Sequence, residues 1–183
     1  MTPTLRRPDL IAACAETAPP GYALELGVGK GTSLRIIAHH RPGQTYGFDS
    51  FQGLPENWRP HFPAGTFACQ PPDIPGATIL AGPFDATLPI WTREHSTRDI
   101  GLIHIDCDLY SSTQLALSYL HDLQPGTILL FDELIGGRDY PEWPWHEHRA
   151  LLEWVADTGH YLQPFGTVPG GEQAAFTIVE EPA

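Results

Sequence analysis

The sequence predicts an α/β fold: a seven-stranded, mostly parallel sheet with one antiparallel edge strand and helices on both faces. Three observations predict it. Short apolar runs alternate with stretches of helical periodicity along the chain. A glycine-rich turn, Gly27 to Gly31, stands where the first apolar run gives way to a helical stretch. Acidic residues recur at the ends of the apolar runs, the side of an open parallel sheet where ligands bind. With 183 residues the chain fits a single domain, residues 1–183, and leaves no room for a second. A domain of that size buries about 70% of the surface its unfolded chain exposes.

In order, the pattern gives a helix from Pro8 to Thr17 and a first strand from Tyr22 to Leu26. After the glycine turn comes a helix from Thr32 to His39, then strands at Thr45 to Phe48 and Thr78 to Leu80. Between these two strands, Phe51 to Gly76 is rich in Pro and Gly and has no periodicity, so it reads as a long loop of the kind that carries function. A fourth strand spans Leu102 to Ile105. A helix follows from Ser111 to Asp122, with Ser111 or Ser112 as its cap. A fifth strand, Ile128 to Phe131, precedes a helix from Glu147 to Thr158. The last strands, Tyr161 to Phe165 and Ala175 to Val179, are joined by Gly166 to Gln173. That connection is short enough for a hairpin, which reverses one strand at the edge.

Composition narrows the partners. Ten basic against 22 acidic residues give a formal net charge of -12, which repels nucleic acid phosphates and anionic membranes. The three cysteines are odd in number and widely spaced, so neither a disulfide framework nor a zinc knuckle is expected. No apolar run reaches membrane-spanning length, and the first residues lack the apolar segment of a secretion signal, which leads to a cytoplasmic expectation.

The glycine turn is not a nucleotide P-loop. Lys30 is followed by Gly31 where Ser or Thr is required, and Leu24 stands where the first glycine belongs. Asp49, at the end of the second strand, is placed to accept hydrogen bonds from ribose hydroxyls. Glu25 would repel a pyrophosphate and would tolerate a cationic sulfonium ligand, which points away from a nicotinamide dinucleotide. Asp106 and Asp108 follow the fourth strand, and Asp132 and Glu133 the fifth. Four carboxylates converging there repel one another unless a cation joins them, and oxygen ligands suit a hard ion such as Mg²⁺. His146 and His148 do not complete a zinc-protease pattern, because position 150 is Ala150. They are expected near a helix start, and His104 is expected as a core histidine with a bonded partner.

The stretches ELGVGKGTS, YGFDSFQGLPENW, GPFDATLP, LIHIDCDLYSST and LQPGTILLFDEL carry a resemblance from about residue 24 to residue 134. The chain resembles class I S-adenosylmethionine-dependent methyltransferases, which have a Rossmann-like fold, and within them the macrocin O-methyltransferase group, which acts on sugar hydroxyls of antibiotics. The resemblance implies S-adenosylmethionine as cofactor, with Gly27 and Gly29 at its methionine part and Asp49 at ribose. Ser50, Phe51, Phe84 and Asp85 would lie about adenine, and Glu25 and Asp106 would border the same ligand. It also implies Mg²⁺ held by Asp106, Asp132 and Glu133, with Asp108 as the general base. Relatives commonly carry Asp-Asp where this chain has Asp132-Glu133.

Relatives in that group also have extra N-terminal helices that help close the acceptor pocket, whereas about twenty residues precede the first strand here. Closure would then come from the loop Phe51 to Gly76, from residues 136 to 149, or from a second copy in a homodimer. Trp58, Tyr110, Tyr140, Trp143 and Trp145 would either stack on an acceptor or anchor these loops. The expected partner is a small-molecule acceptor, with neither nucleic acid nor membrane. Two alternatives stand beside this reading. One is a metal-dependent nucleotide-sugar glycosyltransferase built on the Asp106-Cys107-Asp108 triplet. The other is a cofactor-binding module without turnover.

Overall fold

The computed structural model describes residues 5–136 and 140–182. Seven strands form one sheet: β1 (Tyr22–Leu26), β2 (Thr45–Asp49), β3 (Ala77–Ala81), β4 (Ile100–Ile105), β5 (Ile128–Phe131), β6 (Tyr161–Thr167) and β7 (Ala174–Val179). Their order across the sheet is β3-β2-β1-β4-β5-β7-β6. The first five are parallel, β7 runs antiparallel to β5, and β6 pairs antiparallel with β7 at the edge. The strand order reverses between β1 and β4, so a crevice opens beyond the carboxyl ends of these two strands.

Among the described residues five α-helices cover the sheet: α1 (Arg7–Thr17), α2 (Thr32–His40), α3 (Phe84–Glu94), α4 (Tyr110–Leu117) and α5 (Glu147–Thr158). Side chains alternate between the two faces of a strand, and the core divides accordingly. Leu24, Leu26, Ile103, Ile105, Leu129 and Phe131 pack with Leu88, Trp91, Leu117, Leu151 and Trp154, beneath α3, α4 and α5. Ala23, Leu102, Ile128 and Leu130 pack with Leu10, Ile11, Cys14 and Ile37, beneath α1 and α2. Glu25 and His104 are register partners in the central strands and belong to this second face.

The structure departs from the sequence pattern at two helices. α3 was not expected, because Pro83, Pro89 and a short window hide its periodicity. It forms because Leu88 and Trp91 bury one stripe against the sheet, and tertiary packing outweighs the amide lost at Pro89. α4 ends at Leu117 rather than Asp122 and begins at Tyr110, with Leu109 rather than a serine at its cap. No helix among the described residues is long and apolar enough to cross a membrane.

Candidate active site

The glycine turn is shaped by three different demands. Gly27 has φ 93°, and a Cβ there would lie 1.8 Å from the Asp106 carbonyl oxygen, so this glycine lets the β1 and β4 ends approach each other. Gly31, with φ 74°, would press a Cβ to 2.4 Å from Ile74 Cδ1. At Gly29, φ 50°, a Cβ would meet nothing within 4 Å among the described residues. Only Gly29 therefore leaves backbone open toward a ligand. Asp49 holds the turn in place: its Oδ2 accepts from the Val28 and Gly29 amides, each at 2.8 Å, and its Oδ1 from the Phe51 amide at 2.7 Å.

Gly27, Gly29, Asp49, Ser50, Phe84, Asp85 and Asp106 line one cavity of ≈ 950 Å³, together with Asp108, Asp132 and Glu133. Two residues expected at the cofactor lie elsewhere. Phe51, only 8% exposed, packs with Val28, Leu34, Ala38 and Ile74 under the glycine turn. Glu25 is fully buried beneath the cavity floor, where its Oε1 accepts from the Ser33 hydroxyl at 2.7 Å. Its charge answers His104 rather than a ligand: His104 Nδ1 lies 3.6 Å from Glu25 Oε2, and Nε2 lies 3.7 Å from Asp132 Oδ1. Burial by itself would lower the His104 pKa, but the Asp132 and Glu25 carboxylates outweigh it and push it up to about 10.

The carboxylates do not group as the sequence suggested. Asp106, Asp108 and Glu133 bring one oxygen each within 4.8 Å of one another. Asp132 is turned instead to two cations, His104 and Arg7. Arg7, in the first turn of α1, places Nε 2.6 Å from Asp132 Oδ1 and Nη2 2.7 Å from Asp106 Oδ2. Burial would raise the Asp132 pKa, yet His104 and Arg7 hold it well below the usual carboxylate range. Asp108 forms no ion pair among the described residues, and Arg59 and Arg7 offset its burial only in part. Burial, with Asp132 nearby, pushes it up to about 7. Its backbone is left-handed, φ 64°, a conformation that Asp tolerates better than most residues. Glu133 is raised well above its ordinary value, first by burial and then by Asp132 and Asp106.

Glu147 and Arg7 are site residues that the sequence reading missed. Glu147, fully buried at the start of α5, accepts from the Cys107 amide at 3.3 Å and from the Glu133 amide at 3.1 Å. One carboxylate thus ties together the two loops that carry the acids. Glu147 was legible only as a residue near a helix start. Arg7 lies 99 positions from Asp106 and 125 from Asp132, and no local pattern links them.

The loop between β2 and β3 forms one wall of the cavity with Leu54, Pro55, Trp58, Phe62 and Phe67. Trp58 Nε1 donates to the Tyr140 hydroxyl and to His146 Nδ1, each at 3.0 Å. The Arg59 guanidinium lies 4.0 Å from the Trp58 ring centroid and 4.4 Å from that of Tyr140, and it pairs with Glu172 at 3.1 Å. Of the five aromatic residues singled out in the sequence, only Trp58 lines the cavity. Tyr140 is a buried anchor, Tyr110 bonds Glu153 at 2.6 Å, and Trp145 is exposed. Residues 137–139 of the segment 136–149 lie outside the described residues.

The donor chemistry fits both expected small groups. The open backbone at Gly29 and the adjoining cavity suit a nucleoside ligand. For a hard divalent cation the fit is oxygen-only, and Glu133 Oε2 is buried without a hydrogen-bond partner among the described residues.

The glycine turn and the carboxylate cluster open into one cavity, and the family match places the chain in the class of S-adenosylmethionine-dependent methyltransferases. The family described as "Methyltransferase domain" matches residues 24–134, and the chain belongs to it. Membership favours methyl transfer over the glycosyltransferase alternative. The fold is similar to that of the calicheamicin methyltransferase CalS11, at TM-score 0.72 and 23% identity over 94% of this chain and 80% of that one. The apo structure of CalS11, a TDP-rhamnose 3'-O-methyltransferase, gives TM-score 0.63 at 23% identity over 94% and 81%. An O-methyltransferase from Bacillus cereus in complex with SAH gives TM-score 0.55 at 11% identity over 98% and 82%. At these identities the likeness establishes the fold. No curated protein matches the chain.

Proposed function

We propose that the protein is an S-adenosylmethionine-dependent O-methyltransferase of the macrocin type, assisted by Mg²⁺ and acting on a hydroxyl of a small natural-product or sugar-like molecule. The observation that carries this reading is the single cavity shared by the Gly29 turn and the carboxylates after β4 and β5. S-adenosylmethionine supplies an electrophilic methyl on sulfonium sulfur, and Mg²⁺ on Asp106, Asp132 and Glu133 would lower the pKa of an acceptor hydroxyl.

The chain's own residues supply the rest. Asp108, with a pKa near 7 and a place on the cavity wall, takes the hydroxyl proton as the oxygen attacks the methyl carbon and the carbon-sulfur bond breaks. Gly29 meets the methionine part of the cofactor, and Asp49, which also fixes the turn, meets its ribose. Trp58, Phe62 and Phe67 provide apolar faces against which a sugar ring packs while water is excluded. CalS11 methylates a sugar carried on a nucleotide, TDP-rhamnose, which supports a sugar hydroxyl as acceptor here.

Calorimetry with S-adenosylhomocysteine tests the cofactor, and millimolar ligand without heat of binding would sink the reading. With an acceptor found, Asp108→Asn is expected to lower turnover about 10²- to 10⁴-fold while leaving that binding intact. Cofactor binding with no turnover on any hydroxyl acceptor would favour the binding-module alternative.

A further inference from the structure

We propose that Arg7 and a divalent cation are alternative occupants of the gap between Asp106 and Asp132, so that the first turn of α1 sets how tightly this site holds its metal. The inference rests on the Mg²⁺-assisted reading above and adds to it a residue of this chain that lies outside the matched stretch 24–134.

One edge of the Arg7 guanidinium spans both acids, with Nε at 2.6 Å from Asp132 Oδ1 and Nη2 at 2.7 Å from Asp106 Oδ2. The two oxygens therefore face a common position, and a cation fills it. The alternation of side chains along the strands explains the arrangement. Asp106 and Asp132 lie two residues beyond His104 and Leu130, on the sheet face covered by α1, so a basic residue at the start of α1 is the nearest protein cation. Arg7 does not neutralise the cluster. Glu25, Asp106, Asp108, Asp132, Glu133 and Glu147 gather there, and among the described residues Arg7 and His104 are the cations within 4 Å of these carboxylates, with Arg59 acting on Asp108 from farther off. Glu133 Oε2 also stays unpartnered among the described residues, while Asp106, Asp108 and Glu133 already approach one another as an oxygen set. Such a cluster still draws a divalent ion toward the position that Arg7 holds.

The latch can open without unfolding α1. Arg7 is 36% exposed along its side chain, so its head can swing to solvent. The helix start is held separately by Arg6, whose side chain and backbone both bond Asp9. Exchange of Arg7 for the cation would release Asp132 to join Asp106 and Glu133 as ligands and leave Asp108 its oxygens for the acceptor proton. The competition accounts for two observations together: Asp132 stands apart from the compact oxygen set, and the residue holding it apart is a cation.

The test is Mn²⁺ binding, read from the paramagnetic resonance of free ion, in wild type, Arg7→Gln and Arg6→Gln, without cofactor or acceptor. Both substitutions remove one charge from the same turn, so Arg6→Gln reports the effect of net charge and helix fraying alone. Arg7→Gln should tighten Mn²⁺ binding about tenfold or more, with Arg6→Gln within about twofold of wild type. Without metal, Arg7→Gln should melt below wild type, and Mn²⁺ should raise its melting temperature more than it raises that of wild type. If Arg7→Gln does not fold, Arg7→Lys serves instead. Its single ammonium cannot span both acids as the guanidinium does, and a smaller tightening is expected. Unchanged or weaker Mn²⁺ binding in the Arg7 variant, with binding intact in wild type, overturns the competition and leaves the cation reading standing. Absence of Mn²⁺ binding in every variant overturns both, and S-adenosylhomocysteine calorimetry then still judges methyl transfer by itself.

Discussion

The two halves of the cavity are built by opposite means. The cofactor half, from Gly27 to Asp49, is held by steric fit and by backbone amides donating to one carboxylate. The acid half, from Glu25 through His104, Asp132 and Arg7 to Asp106, is held by opposite charges that face one another at 2.6–3.7 Å. The first kind of construction fails on a change of shape. The second tolerates small changes of shape and depends on which groups carry protons. The comparison teaches where specificity resides: a rigid seat for a common cofactor lies beside an adjustable electrostatic site for the reaction.

The sharpest break in that comparison is a methyl group placed on the first glycine. Gly27→Ala puts a Cβ against the Asp106 carbonyl at a positive φ, and a loss of about 3 kcal/mol or more is expected in denaturant titration. Gly29→Ala meets open space and should cost only about 1 kcal/mol, with its main effect on S-adenosylhomocysteine affinity. Equal losses at the two positions would show that the turn is not divided as described.

Glu147→Ala comes next. It leaves the buried Cys107 and Glu133 amides without their acceptor, which costs about 1–3 kcal/mol per group, partly offset because a buried carboxyl is removed as well. A net loss of about 2 kcal/mol is expected, together with weaker Mn²⁺ binding as the two acid-bearing loops drift apart. Glu147→Gln keeps one acceptor oxygen of the two, so a metal affinity between those of wild type and Glu147→Ala would identify the hydrogen bonds as the requirement.

A smaller, pH-dependent effect separates the halves directly. His104 has a folded pKa raised to about 10, so its contribution is complete below the unfolded value of about 6.5 and is lost as pH rises through 10. Asp132 has a lowered folded pKa, so its contribution is present above about 3.9 and is lost as pH falls below that value. The melting difference between wild type and His104→Gln should therefore shrink steadily from pH 6.5 to pH 10. A difference that stays constant over that window would mean His104 is held neutral. The same scan on Gly29→Ala should be flat. The smallest expected effect is Trp58→Phe, which deletes the donor to Tyr140 and His146 and should cost about 1 kcal/mol. Cofactor affinity should not change, and a few-fold rise in acceptor KM would follow the looser wall.

Much of the fold was readable because its signals are local. Each parallel strand is a short apolar run, and each of the helices predicted after Gly31, Tyr110 and Trp145 is there, with α4 shorter than its periodicity suggested. α3 escaped because two prolines break the periodic signal of a helix that burial alone stabilises. Asp49, Asp106 and Asp108 were readable as cavity residues because the carboxyl ends of parallel strands converge whatever the side chains are. Glu25 and Phe51 were misplaced because local spacing says which element a residue ends, and not which face it turns to once the chain beyond it is packed.

By itself the sequence determined the run of strands, the helices other than α3, the glycine turn, and the delivery of acids to one edge of the sheet, since all of these follow from neighbours within a few positions. Only the tertiary structure decided that Arg7 would reach Asp106 and Asp132, that Glu25 would face His104, and that Glu147 would join two loops. These are contacts between charges and amides far apart in the chain. Their partners are chosen by which groups are left unsatisfied after the apolar faces have packed, and that remainder exists only in the folded molecule.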